Sequence, residues 1–224
     1  MSLQYSLAPS LPAQSWDELG KLWTAFAGTL PELQIDIVDG TFVPFSSWPF
    51  TDERGMDAIV NAGIFSPTFL EIDCMCMDTE AYLDRFLLLP TLSRVVIHAG
   101  STDAYDVCLQ HRTEHGSRMG LGILNTTPQT HVDELLPRFD YVQVMGIASI
   151  GVQGQPFDER TLDTVRSLRS SYPELEIAID GAVNATTIPL LVRAGANRFA
   201  PGSAIAKATD PVAAYKQLLA LLPS

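Results

Sequence analysis

Residues 33–39 read LQIDIVD, a short run of Leu, Ile and Val in which Asp36 stands between two isoleucines. Branched apolar residues in so short a run suit a strand buried on both faces, as in a parallel sheet. Seven more runs of this kind lie on either side of it: YSLAPSL (5–11), TFLEIDCMC (68–76), SRVVIHAG (93–100), RMGLGILN (118–125), FDYVQVMGI (139–147), LEIAIDGAV (175–183) and NRFAPGS (197–203). Helical patterns fall between them, near 16–29, 53–63, 79–89, 103–115, 132–137, 158–171, 185–194 and 209–222. Eight strand-then-helix units in 224 residues predict an α/β fold, a closed parallel (β/α)8 TIM barrel, as one domain over 1–224. An open doubly wound sheet is the competing arrangement, weakened because no Gly-x-Gly-x-x-Gly follows the first strand.

The composition narrows the function. A formal net charge of −12 argues against a nucleic-acid partner, which needs clustered Lys and Arg. One small phosphate is a different matter, because backbone N–H groups can hold it without lysine. The longest apolar runs, such as FLLLP at 86–90, are too short to span a bilayer, and no signal peptide is evident, so a cytoplasmic protein without membrane contact is expected. Cys74, Cys76 and Cys108 form no disulfide framework and read as small buried hydrophobes.

Several strands end in polar residues where a buried parallel strand should stay apolar: Asp36, Asp73, His98, Asn125 and Asp180. In a β/α barrel that end carries the active site, so the five are expected to converge there. Three carboxylates on one mouth repel one another unless a cation or shared protons intervene. Asp39-Gly40 reads as a tight turn into FVPFSSWPF, whose aromatics either line a pocket or pack back on the barrel. Gly151 and Gly154 after the sixth strand, and Pro201-Gly202-Ser203 after the eighth, would let backbone approach a phosphate. None of Lys21, Lys207 and Lys216 lies at the C-terminal end of a strand, which argues against Schiff-base chemistry.

The string LQIDIVDGTFVPF (33–45) resembles the HiDvMDGxFVPN pattern of the ribulose-phosphate 3-epimerases. The resemblance runs in order through APSL (8–11), LEIDCM (70–75), VVIHAG (95–100), YVQVMGIASIGVQGQPF (141–157), IAIDGAVN (177–184) and AGANRFAPGSAI (194–205). It implies a ribulose-phosphate-binding barrel that moves a proton at carbon 3 of a ketose 5-phosphate through a metal-stabilised enediolate. It further implies that Asp36 and Asp180 are the two proton carriers, and that Gln34, Asp36, Asp73 and Asp180 occupy the metal-ligand positions. Ser10, Met75 and Met145 match residues near the substrate, Gly154, Gly181, Gly202 and Ser203 match the phosphate cradle, and a homo-oligomer is suggested.

The chain departs from the family where two histidine ligands are expected, at Gln34 and Asp73. An all-oxygen donor set favours magnesium or manganese over zinc, or binds no ion well. Val38 replaces a methionine, the second glycine after Asp180 is Ala182, and the loop after strand six carries one extra residue, with Gln153 where a glycine is expected. Two other readings stay open: a sugar-phosphate binder without turnover, and a decarboxylase or synthase on a related barrel. The latter lacks its Asp-x-Lys-x-x-Asp motif here.

Overall fold

Eight parallel strands stand side by side in chain order in the computed structural model, which describes residues 3–11, 13–26, 29–52, 55, 68–86, 91–150 and 154–223. The first strand, β1, is split into Ser6–Leu7 and Ser10–Leu11. After it come β2 (Glu32–Val38), β3 (Phe69–Met75), β4 (Leu92–His98) and β5 (Arg118–Ile123). The last three are β6 (Tyr141–Met145), β7 (Glu176–Asp180) and β8 (Arg198–Ala200). Ser6–Leu7 pairs with β8 and Ser10–Leu11 with β2. The split falls at Ala8-Pro9, because proline has no N–H to donate. Hydrogen bonding continues across it: Ala8 N donates to Phe199 O at 2.9 Å, Gln34 N to Pro9 O at 2.9 Å, and Ser10 N to Pro201 O at 3.2 Å. A first strand bonded on both sides closes the sheet into a barrel and excludes the open doubly wound arrangement.

The helices are α1 (Trp16–Phe26), α2 (Glu80–Phe86), α3 (Tyr105–His115) and α4 (Gln129–Leu135), the last extended by a 3-10 turn over Leu136–Arg138. Then come α5 (Arg160–Ser171), α6 (Ile188–Ala194), α7 (Ser203–Ala206) and α8 (Pro211–Leu219). The helix expected near 53–63 lies outside the described residues. The eighth strand is shorter than the expected 197–203, because Pro201-Gly202 interrupts it and Ser203 opens α7. Gly195, at φ +115°, ends α6 in the left-handed conformation that glycine adopts without strain. Asp210 starts α8, its carboxylate accepting from Ala213 N at 2.9 Å.

Alternate strand residues face opposite ways. Ile35, Ile37, Ile72, Cys74, Ile97 and Ile179 belong to the main apolar core with Leu19, Trp23 and Phe26 of α1. The three cysteines are free and buried. Among the described residues, no helix is long and apolar enough to cross a membrane.

The residues between them in sequence face the barrel interior, and toward the strand starts they build a charged floor. Arg198 donates to Glu32 at 2.7 Å and to Glu71 at 2.9 Å, while Arg94 meets Glu176 at 2.5 Å and Glu32 at 3.1 Å. Arg118 adds a bond to Glu176 at 2.8 Å. The Tyr141 ring lies beneath both Arg94 and Arg118, 5.1 and 5.4 Å from centroid to guanidinium. A Cβ on Gly120 would stand 2.4 Å from that ring, so the glycine makes room for it. Burial opposes the charge of Arg198, but Glu71 and Glu32 outweigh it and its pKa is raised. Burial pushes Glu71 above the usual carboxylate range, and Arg198 offsets this only in part.

Candidate active site

At the other end of the interior, Gln34 and Asp36 project from β2, and the register sets Asp36 beside Asp73 of β3. Asp180 is the last residue of β7. One oxygen from each of Asp36, Asp73 and Asp180 lies within 4.8 Å of the other two, a grouping able to hold a metal ion. Ser10 Oγ sits 2.7 and 2.8 Å from the two Asp36 oxygens and shares its single proton between them. Gln34 Nε2 donates to Asp36 Oδ1 at 3.2 Å and to Asp180 Oδ2 at 2.9 Å, bridging the two carboxyls. The Gln34 Oε1 atom is buried and accepts no hydrogen bond from the described residues.

Asp73 is held from two sides. His98 Nε2 lies 2.7 Å from its Oδ1, and Gln143 Nε2 donates to its Oδ2 at 2.8 Å. Gly122 leaves space for the His98 ring, since a Cβ there would stand 2.6 Å from Nδ1. Asn125 departs from the expected convergence. Its amide donates to Met145 O, Asp158 and Thr161 at 3.3, 3.0 and 2.9 Å, tying the end of β5 to the start of α5. A part-buried amide takes the nearest unsatisfied acceptors, and here two of the three belong to a helix start.

Burial, followed by the charge of Asp73, raises Asp36 from 3.8 to about 7, against the hydrogen bonds from Ser10 and Gln34. Burial and then the charges of Asp36 and Asp73 lift Asp180 well above its ordinary range. Both groups bind protons more tightly folded than unfolded. The stability Asp36 contributes is therefore complete below about pH 4 and lost as pH rises through about 7, and Asp180 acts in the same direction. Asp158, lowered to about 2 chiefly by its hydrogen bond with Arg160, titrates below that window. Chelator-treated protein is accordingly expected to melt roughly 5 °C or more higher at pH 5 than at pH 8. Thermal melts at the two pH values check this, and the opposite order would contradict the burial of these carboxyls.

A cavity of about 210 Å³ opens on Asp36 and Asp180. Val38, Met75 and Met145 form part of its wall, and Gly154, Gly181, Gly202 and Ser203 also line it. Gly151 and Gln153 lie outside the described residues. The loops after β6 and β7 run in backbone contact, because a Cβ on Gly146 would stand 2.2 Å from Gly181 O. Ala182 holds φ +55°, a left-handed conformation that costs a non-glycine residue about 1–2 kcal/mol. Its carbonyl is fixed there by Asn184 Nδ2 at 2.9 Å and Thr187 Oγ1 at 2.8 Å. The loop aromatics divide between their two expected roles. Phe45 lines the cavity, while Trp48 packs back, fully buried, 5.7 Å from the Trp16 ring.

Sequence reasoning missed Gln143 and the charged floor. A signal for Gln143 was present, since a lone polar residue in the buried run YVQVM is as anomalous as a polar strand end.

These features define a β/α barrel with a buried carboxylate cluster at the C-terminal ends of its strands, the face on which such barrels carry their sites. The profile described as the ribulose-phosphate 3 epimerase family matches residues 6–206. The chain belongs to that family. It is 27% identical over 222 residues to the ribulose-phosphate 3-epimerase of Escherichia coli (strain K12), covering 96% of this chain and 93% of that protein. Identity to the ribulose-phosphate 3-epimerase of Schizosaccharomyces pombe is 28% over 214 residues, covering 93% and 90% respectively. A solved 3-hexulose-6-phosphate synthase superposes with a TM-score of 0.72 over 99% of this chain and 100% of its own, at 21% identity, which shows a shared fold.

Proposed function

We propose that the chain epimerises a ketose phosphate at carbon 3, with Asp36 removing the proton from one face and Asp180 returning one to the other. The observation that carries this reading is the pair itself: two buried carboxyls, bridged by one amide, at the edge of a cavity that also reaches Gly154, Gly181, Gly202 and Ser203. A pKa near 7 suits Asp36 to accept and hold a proton close to neutral pH. Ser10 orients it. Val38, Met75 and Met145 present apolar surface that keeps water from the reacting carbon. The three glycines and Ser203 offer backbone N–H groups for the phosphate.

The donor set of Gln34, Asp36, Asp73 and Asp180 supplies oxygen alone and fits a hard cation, magnesium or manganese rather than zinc. A flip of the Gln34 amide would turn its unpartnered Oε1 toward the carboxyls and complete that donor set. When bound, such a cation supplies positive charge opposite the developing enediolate. One observation favours a second reading, a sugar-phosphate binder without turnover. Gln34 turns Nε2 rather than Oε1 toward the carboxyls and so links them without a cation.

Solvent deuterium exchange into ribulose 5-phosphate, combined with metal analysis of the purified protein, separates the two. Exchange at carbon 3 is expected, faster with added magnesium or manganese and slower in chelator. Tightly held zinc would contradict the ligand argument, and binding of the ester without any exchange would establish the second reading.

A further inference from the structure

We propose that Lys207 recognises the charge of the substrate phosphate and sets the preference for a phosphorylated over a free sugar. The inference rests on the sugar-phosphate reading above. A phosphate monoester carries a charge of about −1.5 to −2 at neutral pH. It would enter a chain of net charge −12, at a cavity onto which Asp36 and Asp180 open. Among the described residues lining that cavity there is no lysine or arginine. Backbone N–H groups can direct hydrogen bonds at a phosphate, but they bring no net charge to offset this repulsion.

Lys207 follows α7 directly, in the segment that begins with the cavity-lining Gly202 and Ser203. A Cβ on Gly154 would stand 3.9 Å from Lys207 Nζ, so the ammonium rests over the backbone of a third cavity-lining residue. Gly154 has φ +79°, and with no side chain it places nothing over its own backbone on the side where the ammonium rests. Lys207 is exposed, and its ammonium makes no ion pair with any described residue. Lys21 lies on α1 and Lys216 on α8, in the outer helical layer. Lys207 is therefore a positioning residue. It takes no part in the proton transfer, and its four-carbon stem allows the ammonium to follow the ester as it docks.

Calorimetric titration of the full chain with ribulose 5-phosphate and with ribulose, repeated on Lys207→Gln, Lys207→Arg and Lys21→Gln, tests this. Lys207→Gln is expected to bind the ester about five- to tenfold more weakly, on the scale of one charge-assisted contact, with unchanged affinity for ribulose. KM for the ester should rise by the same factor while kcat stays within about twofold, the pattern of lost uniform binding. Lys207→Arg should retain most of the affinity. Lys21→Gln removes the same charge elsewhere and should stay within about twofold, as screened surface charges do. Equal affinities for Lys207→Gln and Lys21→Gln, in a parent protein that prefers the ester, would overturn this inference alone. A parent protein that binds ester and free sugar alike would overturn the sugar-phosphate reading and this inference together.

Discussion

Asp36→Asn is expected to lower proton exchange at carbon 3 by about 10³-fold, within the range lost when a positioned general base is removed. The asparagine oxygen can still accept from Ser10 and Gln34, which now lie 2.7 and 3.2 Å from Asp36 Oδ1. The variant should therefore keep its local geometry and lose only the capacity to take a proton. It also removes a group that repels Asp73 and Asp180 in a buried setting, so its melting temperature at pH 8 should equal or exceed that of the parent. Exchange within about tenfold of the parent would show that another group takes the proton. A concurrent drop in melting temperature would instead assign the loss to misfolding.

Arg198→Met carries the largest expected effect on stability. Arg198 is 2% exposed and bonds both Glu32 and Glu71 in the barrel floor. Removing it leaves Glu32 and Glu71 with Arg94 alone, 3.1 and 3.9 Å away, and breaks the closer pair to each, a change that costs about 3–5 kcal/mol for buried pairs. Urea unfolding at pH 7 measures the loss. The deficit should shrink as pH falls, because Glu71, whose pKa burial already raises, neutralises readily. Arg198→Met combined with Glu71→Leu should recover most of the stability, since apolar residues of similar volume often replace buried ion pairs without loss. Failure of the double variant to improve on Arg198→Met would assign the loss to packing around the arginine stem.

Much of this arrangement was legible in the sequence, for a physical reason. A buried parallel strand has little use for charge, so Asp36 in LQIDIVD, Asp73 in LEIDCM and Asp180 in IAIDGA stood out. Their common position at strand ends then pointed to one mouth. What the sequence concealed were relations created by closure. Glu32 and Arg198 lie 166 residues apart, and nothing local marks them as partners. Asn125 shared the strand-end position of the three aspartates, yet the start of α5 offered it nearer acceptors than the mouth. The break in β1 was hidden because APSL reads as one run, although Pro9 cannot continue a ladder on its own N–H.

That same strand governs how the molecule comes into being on the ribosome. Ser10 and Asp36 emerge early and are close in sequence, but Arg198 meets Ser6 across 192 residues, and Gln34 meets Asp180 across 146. Through most of synthesis β1 therefore has no β8 to pair with, and the growing sheet ends in two unpaired borders of the kind that other chains can add to. No nascent fragment shorter than the route to β8 can hold both proposed proton carriers in a closed barrel. Closure of the carboxylate cluster should thus arrive in one late step during translation.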